Sequence, residues 1–151
     1  MRRALLLPVL VLLVAPGCDT DPVVFPNPDP DPVPVTVTYR VTATGSVEDA
    51  AVRYTNADGD MASEGVDFGR TSVYNRDVLL DAGATGTFSV TASGTVDSGR
   101  LNIRILATET GNVLNEVASA SAVETSTVPN EQLSVTAEVT VPVAFPRETT
   151  E

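Results

Sequence analysis

The stretch Asn56-Ala57-Asp58-Gly59-Asp60 is the one place in this chain where oxygen-bearing side chains alternate around a glycine. That spacing is the core of a calcium loop, in which alternate carboxylates and amides converge on a hard cation. The full twelve-residue pattern fails at both ends, because Tyr54 stands at the first ligand position and Gly65 at the twelfth. Asp-Gly is equally a hairpin turn signal, since glycine takes the positive φ that the turn requires. Two readings of Asn56, Asp58, Gly59 and Asp60 therefore stand: a hairpin turn, which the failed ends favour, or a weak cation site.

A second reactive position is Cys18, the only cysteine of 151 residues. It ends a leader with Arg2 and Arg3 at its start and an apolar run over residues 4–15. As a helix that run would rise about 18 Å at ~1.5 Å per residue, well short of the ~30 Å hydrocarbon core. Residues 1–17 thus read as a signal peptide rather than a membrane span. Ala15-Pro16-Gly17-Cys18 resembles the bacterial lipobox, whose cysteine receives diacylglycerol. Ala15 and Gly17 also satisfy the small-x-small rule of an ordinary cleavage site. Both readings cut before Cys18, and a lone cysteine in an exported chain favours the lipid. Two or three acyl chains would hold the bilayer stably, each methylene contributing about 0.8 kcal/mol. Asp19 resembles a retention signal known from enteric bacteria, a rule that does not extend across phyla, so the leaflet stays open.

Residues 18–34 join this anchor to the rest. Prolines 22, 26, 28, 30, 32 and 34 alternate with Asp19, Asp21, Asp29 and Asp31 among others. Proline fixes its own φ and biases the preceding residue toward extended backbone. The spacer should be a solvated, semi-rigid polyproline II strut of roughly 50 Å at ~3.1 Å per residue.

Charge narrows the partners. The chain has 20 acidic and 9 basic residues, the latter all arginine, for a net charge of −11. Removing residues 1–17 takes two arginines and no acid, which makes the mature chain two units more negative. Nucleic acid is excluded as a partner, because Lys and Arg on phosphate supply most of that affinity. Histidine, lysine and a second cysteine are missing, so Ser-His-Asp and Cys-His sets, Schiff-base lysines and His/Cys zinc sites cannot be built. Carboxylate-pair chemistry is what remains, and a chain with 5% aromatics offers little platform for a sugar. The expectation is a protein without catalytic activity and without a cofactor.

These features must be carried by residues 35–145, with 146–151 left as a tail. Period-2 alternation runs through them. Val33, Val35, Val37, Tyr39, Val41 and Ala43 share one face, with Thr36, Thr38, Arg40 and Thr42 on the other. Phe88, Val90 and Ala92 align, as do Leu101, Ile103, Ile105 and Ala107, and Leu133, Val135, Ala137, Val139 and Val141. Further strands fit 50–55, 72–80 and 112–122, and turn signals fall at 44–46, 56–60, 81–86, 96–99, 109–112 and 128–131. One apolar and one polar face mark antiparallel sheets. The pattern predicts an all-β domain, an immunoglobulin-like antiparallel β-sandwich of about seven or eight strands.

Taken together, "VTYRVTATGS", "VRYTNADGD", "FSVTASGTVDSGRLNIRIL" and "GNVLNEVASASA" resemble the extracytoplasmic domain of the MmpS family, small mycobacterial membrane proteins that act as transport accessories. Gly45-Ser46, Tyr54-Thr55-Asn56, Gly59 and Ile103-Arg104-Ile105 carry the likeness, which spans roughly residues 35–122. Two departures stand out. Near Tyr74-Asn75-Arg76 this chain lacks the Pro-Trp-Ser common in the family, and its anchor would be a lipidated cysteine rather than a transmembrane helix. The resemblance implies a β-domain in a bacterial cell envelope and a membrane transporter or other envelope protein as partner. The alternative expectation is an extracytoplasmic module that binds a solute or cation.

Overall fold

The apolar alternation folds as antiparallel strands, and a computed structural model describes residues 30–69 and 72–145. Cys18, the motif Ala15-Pro16-Gly17, most of the spacer and the tail 146–151 lie outside the described residues. Six strands form: β1 (Val35–Thr55), β2 (Met61–Val66), β3 (Val73–Leu80), β4 (Gly86–Glu109), β5 (Asn112–Ser126) and β6 (Glu131–Val141). There is no helix among the described residues. All pairings are antiparallel: β1 pairs β2, β3 and β4, while β4 also pairs β5 and β6.

The strand count departs from the sequence expectation for a physical reason. Residues 44–46 and 96–99 carry turn-like glycines and serines, yet the chain does not reverse there. It runs on as two long strands, β1 of 21 residues and β4 of 24. Two predicted strands merge into each, and β2, which sequence alternation did not reveal, is added.

The long strands bend instead of turning. The β1–β4 register shifts between Gly45 and Val47 and again between Glu48 and Ala51. In the first shift the extra residue lies on β4; in the second it lies on β1, where Asp49 takes a φ of 49°. One extra residue moves every later side chain to the opposite face. The buried residues of β1 are odd-numbered from Val35 to Val47 and even-numbered from Ala50 to Tyr54; those of β4 are even-numbered from Phe88 to Val96 and odd-numbered from Leu101 to Ala107. Because each strand gains one residue, the pair returns to its original register while both change parity. Bulges also bend the strand that carries them.

The result is a sheet folded over on itself. Tyr39 and Tyr54 sit on the same strand, fifteen positions apart, which as straight β-strand would be about 50 Å at ~3.3 Å per residue. Their ring centroids are 5.6 Å apart, and the Tyr39 hydroxyl donates to the carbonyl of Thr55 at 2.7 Å. One core fills the fold, with Tyr39, Leu101, Ile103, Ile105, Val37, Val41, Val52 and Val90 fully buried. These are the faces that alternation predicted. Each such aliphatic residue contributes about 1.5–3 kcal/mol by leaving water.

Both ends of the domain meet at one pole. The Val33 amide donates to the carbonyl of Ala144 and the Thr110 amide to that of Pro34, each at 2.9 Å. The bulged bend of β1 and β4 and the β5–β6 turn lie at the other.

Candidate functional site

The Asn56 turn joins β1 to β2, and its geometry follows from the Asn side chain. The Asn56 carbonyl oxygen Oδ1 accepts the amides of Asp58 at 3.0 Å and Asp60 at 2.9 Å. The backbone closes the loop: the Asn56 amide donates to the Asp60 carbonyl at 2.8 Å, and the Gly59 amide to the Asn56 carbonyl at 3.2 Å. Gly59 has a φ of 86°, the left-handed conformation that glycine adopts freely. The oxygen that a cation would need from Asn56 thus holds the turn itself, and Asp58 and Asp60 are exposed. Among the described residues no three of His, Cys, Asp and Glu are grouped to hold a metal ion. No helix among the described residues is long and apolar enough to cross a membrane, which says nothing of spans made by strands.

The densest polar cluster lies elsewhere. Glu64 on β2 accepts the hydroxyl of Tyr54 on Oε1 at 2.9 Å and that of Tyr74 on Oε2 at 3.0 Å. Arg76 stands 3.5 Å from the same carboxylate, and its guanidinium lies 5.4 Å from the centre of the Tyr54 ring. With the Tyr39 ring tilted at 44° against that of Tyr54, all three tyrosines of the chain gather here. Desolvation raises the pKa of Tyr39, Tyr54 and Tyr74 above that of a free phenol, and for the latter two the Glu64 carboxylate raises it further. The phenols therefore stay protonated at neutral pH and donate, Tyr39 to the Thr55 carbonyl and Tyr54 and Tyr74 to Glu64. Three strands contribute: Tyr54 from β1, Glu64 from β2, Tyr74 and Arg76 from β3. The cluster latches β2 to β3, two edge strands that pair with different halves of β1. Nothing in the sequence spacing pointed to it: the β1–β2 hairpin brings Tyr54 to Glu64, and Tyr74, Arg76 and Tyr39 join them only when β1 folds over.

Two surface features remain. An open cleft of about 690 Å³ lies at the bend, walled by residues 45–50 with Gly65, Val66, Asp67 and Gly69. Asp67 there accepts the amide of Gly69 at 3.0 Å, so part of its capacity serves the local turn. The other feature is the edge of β5, a strand of 15 residues that pairs with β4 alone. Its exposed residues include Leu114 at 90%, Val113 at 78% and Val123 at 49%. It contains no proline, lysine or arginine, although Glu116 and Glu124 lie on it and its register with β4 is irregular between Asn112 and Ala118, the part that carries Val113 and Leu114.

Comparison with family models, with curated proteins and with solved structures finds no match.

Proposed function

We propose that this chain is a non-catalytic lipoprotein of a bacterial cell envelope, anchored through acylated Cys18, whose β-domain serves as a protein-interaction module. In this reading the folded-over sheet is an immunoglobulin-like sandwich: β3, β5 and the adjoining halves of β1 and β4 form one layer, and β2, β6 and the other halves form the second. The supporting observation is the edge of β5. Over residues 118–126, where its register with β4 is regular, it offers unpaired backbone groups, the exposed Val123 and a run of alternating Ala and Ser. Such an edge accepts an added strand from a partner, with main-chain hydrogen bonds giving affinity and side-chain positions giving selectivity. The likeness of residues 35–122 to the MmpS domain makes an envelope transporter the first partner to test.

Photo-crosslinking in intact envelopes tests the reading. A crosslinking residue at Ser121, on β5, should trap one defined envelope protein, while the same residue at Arg53, on β1, should trap none. Equal or absent products from both positions would overturn the assignment of the edge.

A further inference from the structure

Arg40 on β1 stands directly opposite Arg104 on β4, a like-charged cross-strand pair. Like charges placed so are destabilising. Arg100 lies on the same face, four residues along β4, opposite Thr44. All three are exposed. In a chain with 20 acidic residues against 9 basic ones, a compensating carboxylate beside each would be the ordinary arrangement. None is there: among the described residues, the ion pair formed by arginine is Arg76 with Glu64, and Arg40, Arg100 and Arg104 have no bonded partner. Asp77, the acidic residue that shares this face on β3, accepts the Thr38 hydroxyl at 2.7 Å instead.

The surface between the arginines is hollowed. A depression of about 250 Å³ is lined by Arg40, Thr42, Asn102 and Arg104. It continues on one side past Asn75 and on the other toward Thr44 and Arg100. The Thr42 hydroxyl is turned to the Asn102 carbonyl at 3.5 Å, which leaves the guanidiniums and the Asn102 side-chain amide as donors toward the hollow. A pair of guanidinium forks with an adjoining amide matches the oxygens of a tetrahedral oxyanion, which arginine binds bidentately.

From this geometry we infer that Arg40 and Arg104, extended by Arg100, form a binding site for a phosphate- or sulfate-type oxyanion carried on a small molecule or on a lipid headgroup. The site spans one ester group. It is no track for a polyanion, because the chain as a whole carries a net charge of −11. Occupancy would neutralise the like-charged pair, so the ligand would stabilise the fold as well as bind it. This inference stands on the sheet face alone and does not require the β5 edge to have a partner.

The test uses the full-length protein in a nonionic detergent at physiological ionic strength, with isotope-labelled backbone amides. Inorganic phosphate or sulfate should give saturable shifts over residues 38–44 and 100–106 and should raise Tm, while chloride at equal ionic strength should do neither. Arg40→Gln with Arg104→Gln should weaken binding about tenfold or more without lowering the Tm of the ligand-free protein. Arg53→Gln, on the other half of β1, should leave binding unchanged. Vesicles of phosphatidylglycerol against phosphatidylcholine distinguish the source. Variant-sensitive binding to the anionic vesicles alone assigns the headgroup, and a response to inorganic phosphate or sulfate assigns a soluble ester. Shifts that merely follow ionic strength, or that survive the double substitution, overturn the site.

Discussion

Gly45 on β1 lies directly opposite Gly99 on β4, and neither has room for a side chain: a Cβ on Gly45 would stand 2.1 Å from the carbonyl oxygen of Ser98, and one on Gly99 would stand 2.8 Å from that of Thr44. Two backbones meet there because both strands bend at the same level. Gly45 also has a φ of 86°, so a side chain would be strained as well as blocked. Gly45→Ala should cost about 3 kcal/mol or more, and Gly99→Ala somewhat less. Urea unfolding monitored by far-UV circular dichroism measures both. A wild-type midpoint for Gly45→Ala would mean that the strands do not approach so closely.

Gly59 supplies the contrast. Its φ is also 86°, but a Cβ there would meet nothing within 4 Å. Gly59→Ala should therefore cost only the conformational term, about 1 kcal/mol.

Asn56→Ala should cost about 1 kcal/mol as well, because the amides of Asp58 and Asp60 lose their common acceptor. Added calcium should leave Tm where it is. A calcium-dependent rise that disappears in Asp58→Ala with Asp60→Ala would reverse the turn assignment and restore the cation site.

The tyrosine latch predicts alkaline lability. Tyr39, Tyr54 and Tyr74 ionise at higher pH in the fold than as free phenols, first because they are desolvated. A folded value above the unfolded one means that the contribution is complete below about pH 10 and is lost as pH rises through the folded values. Tm should be flat through neutral pH and fall above that point. Tyr74→Phe should flatten the alkaline limb, and an unchanged limb in a Tyr39, Tyr54 and Tyr74 triple Phe variant would refute the account.

Cys18→Ser should leave the β-domain as stable as the wild type and release it from the membrane. Mass spectrometry of the mature wild-type protein should find an N-terminal diacylglyceryl-modified cysteine at residue 18. Recovery of an unmodified, water-soluble chain with a free thiol would remove the anchor from the proposed function.

Period-2 alternation made the inward faces legible, down to Leu101, Ile103 and Ile105, because burial on one side of a strand leaves a local trace. Turn residues marked the reversals at Gly59 and Gly111, where glycine has positive φ. The bends at 44–46 and 96–99 carry the same composition and were not separable from turns by residue type. The distinguishing signal was the parity of the apolar residues, odd in Val35–Ala43 and even in Val52 and Tyr54. A simple turn needs no such relation between its flanks, whereas a continuous strand requires a bulge. β2 escaped because Met61–Val66 has no apolar alternation and becomes a strand through pairing with residues 50–55. The Arg40–Arg104 pair depends on a register between residues far apart in the chain, and the Glu64 latch on how β2 and β3 meet when β1 folds over; neither leaves a local trace.

The meeting of Val33 with Ala144 at one pole has a mechanical corollary. In the proposed lipoprotein a tether leading from residue 30 would pull along β1, and over Val35–Thr42 that strand is hydrogen-bonded on both flanks, to β3 and to β4. When a partner holds the opposite end of the domain, the load falls on two ladders in shear, where bonds must fail together. The same domain pulled between its own two ends would part first at the single bond from Val33 to Ala144 and open one bond at a time. Its resistance to force is thus directional, high between the residue-30 end and the far pole and low between the two ends of the domain.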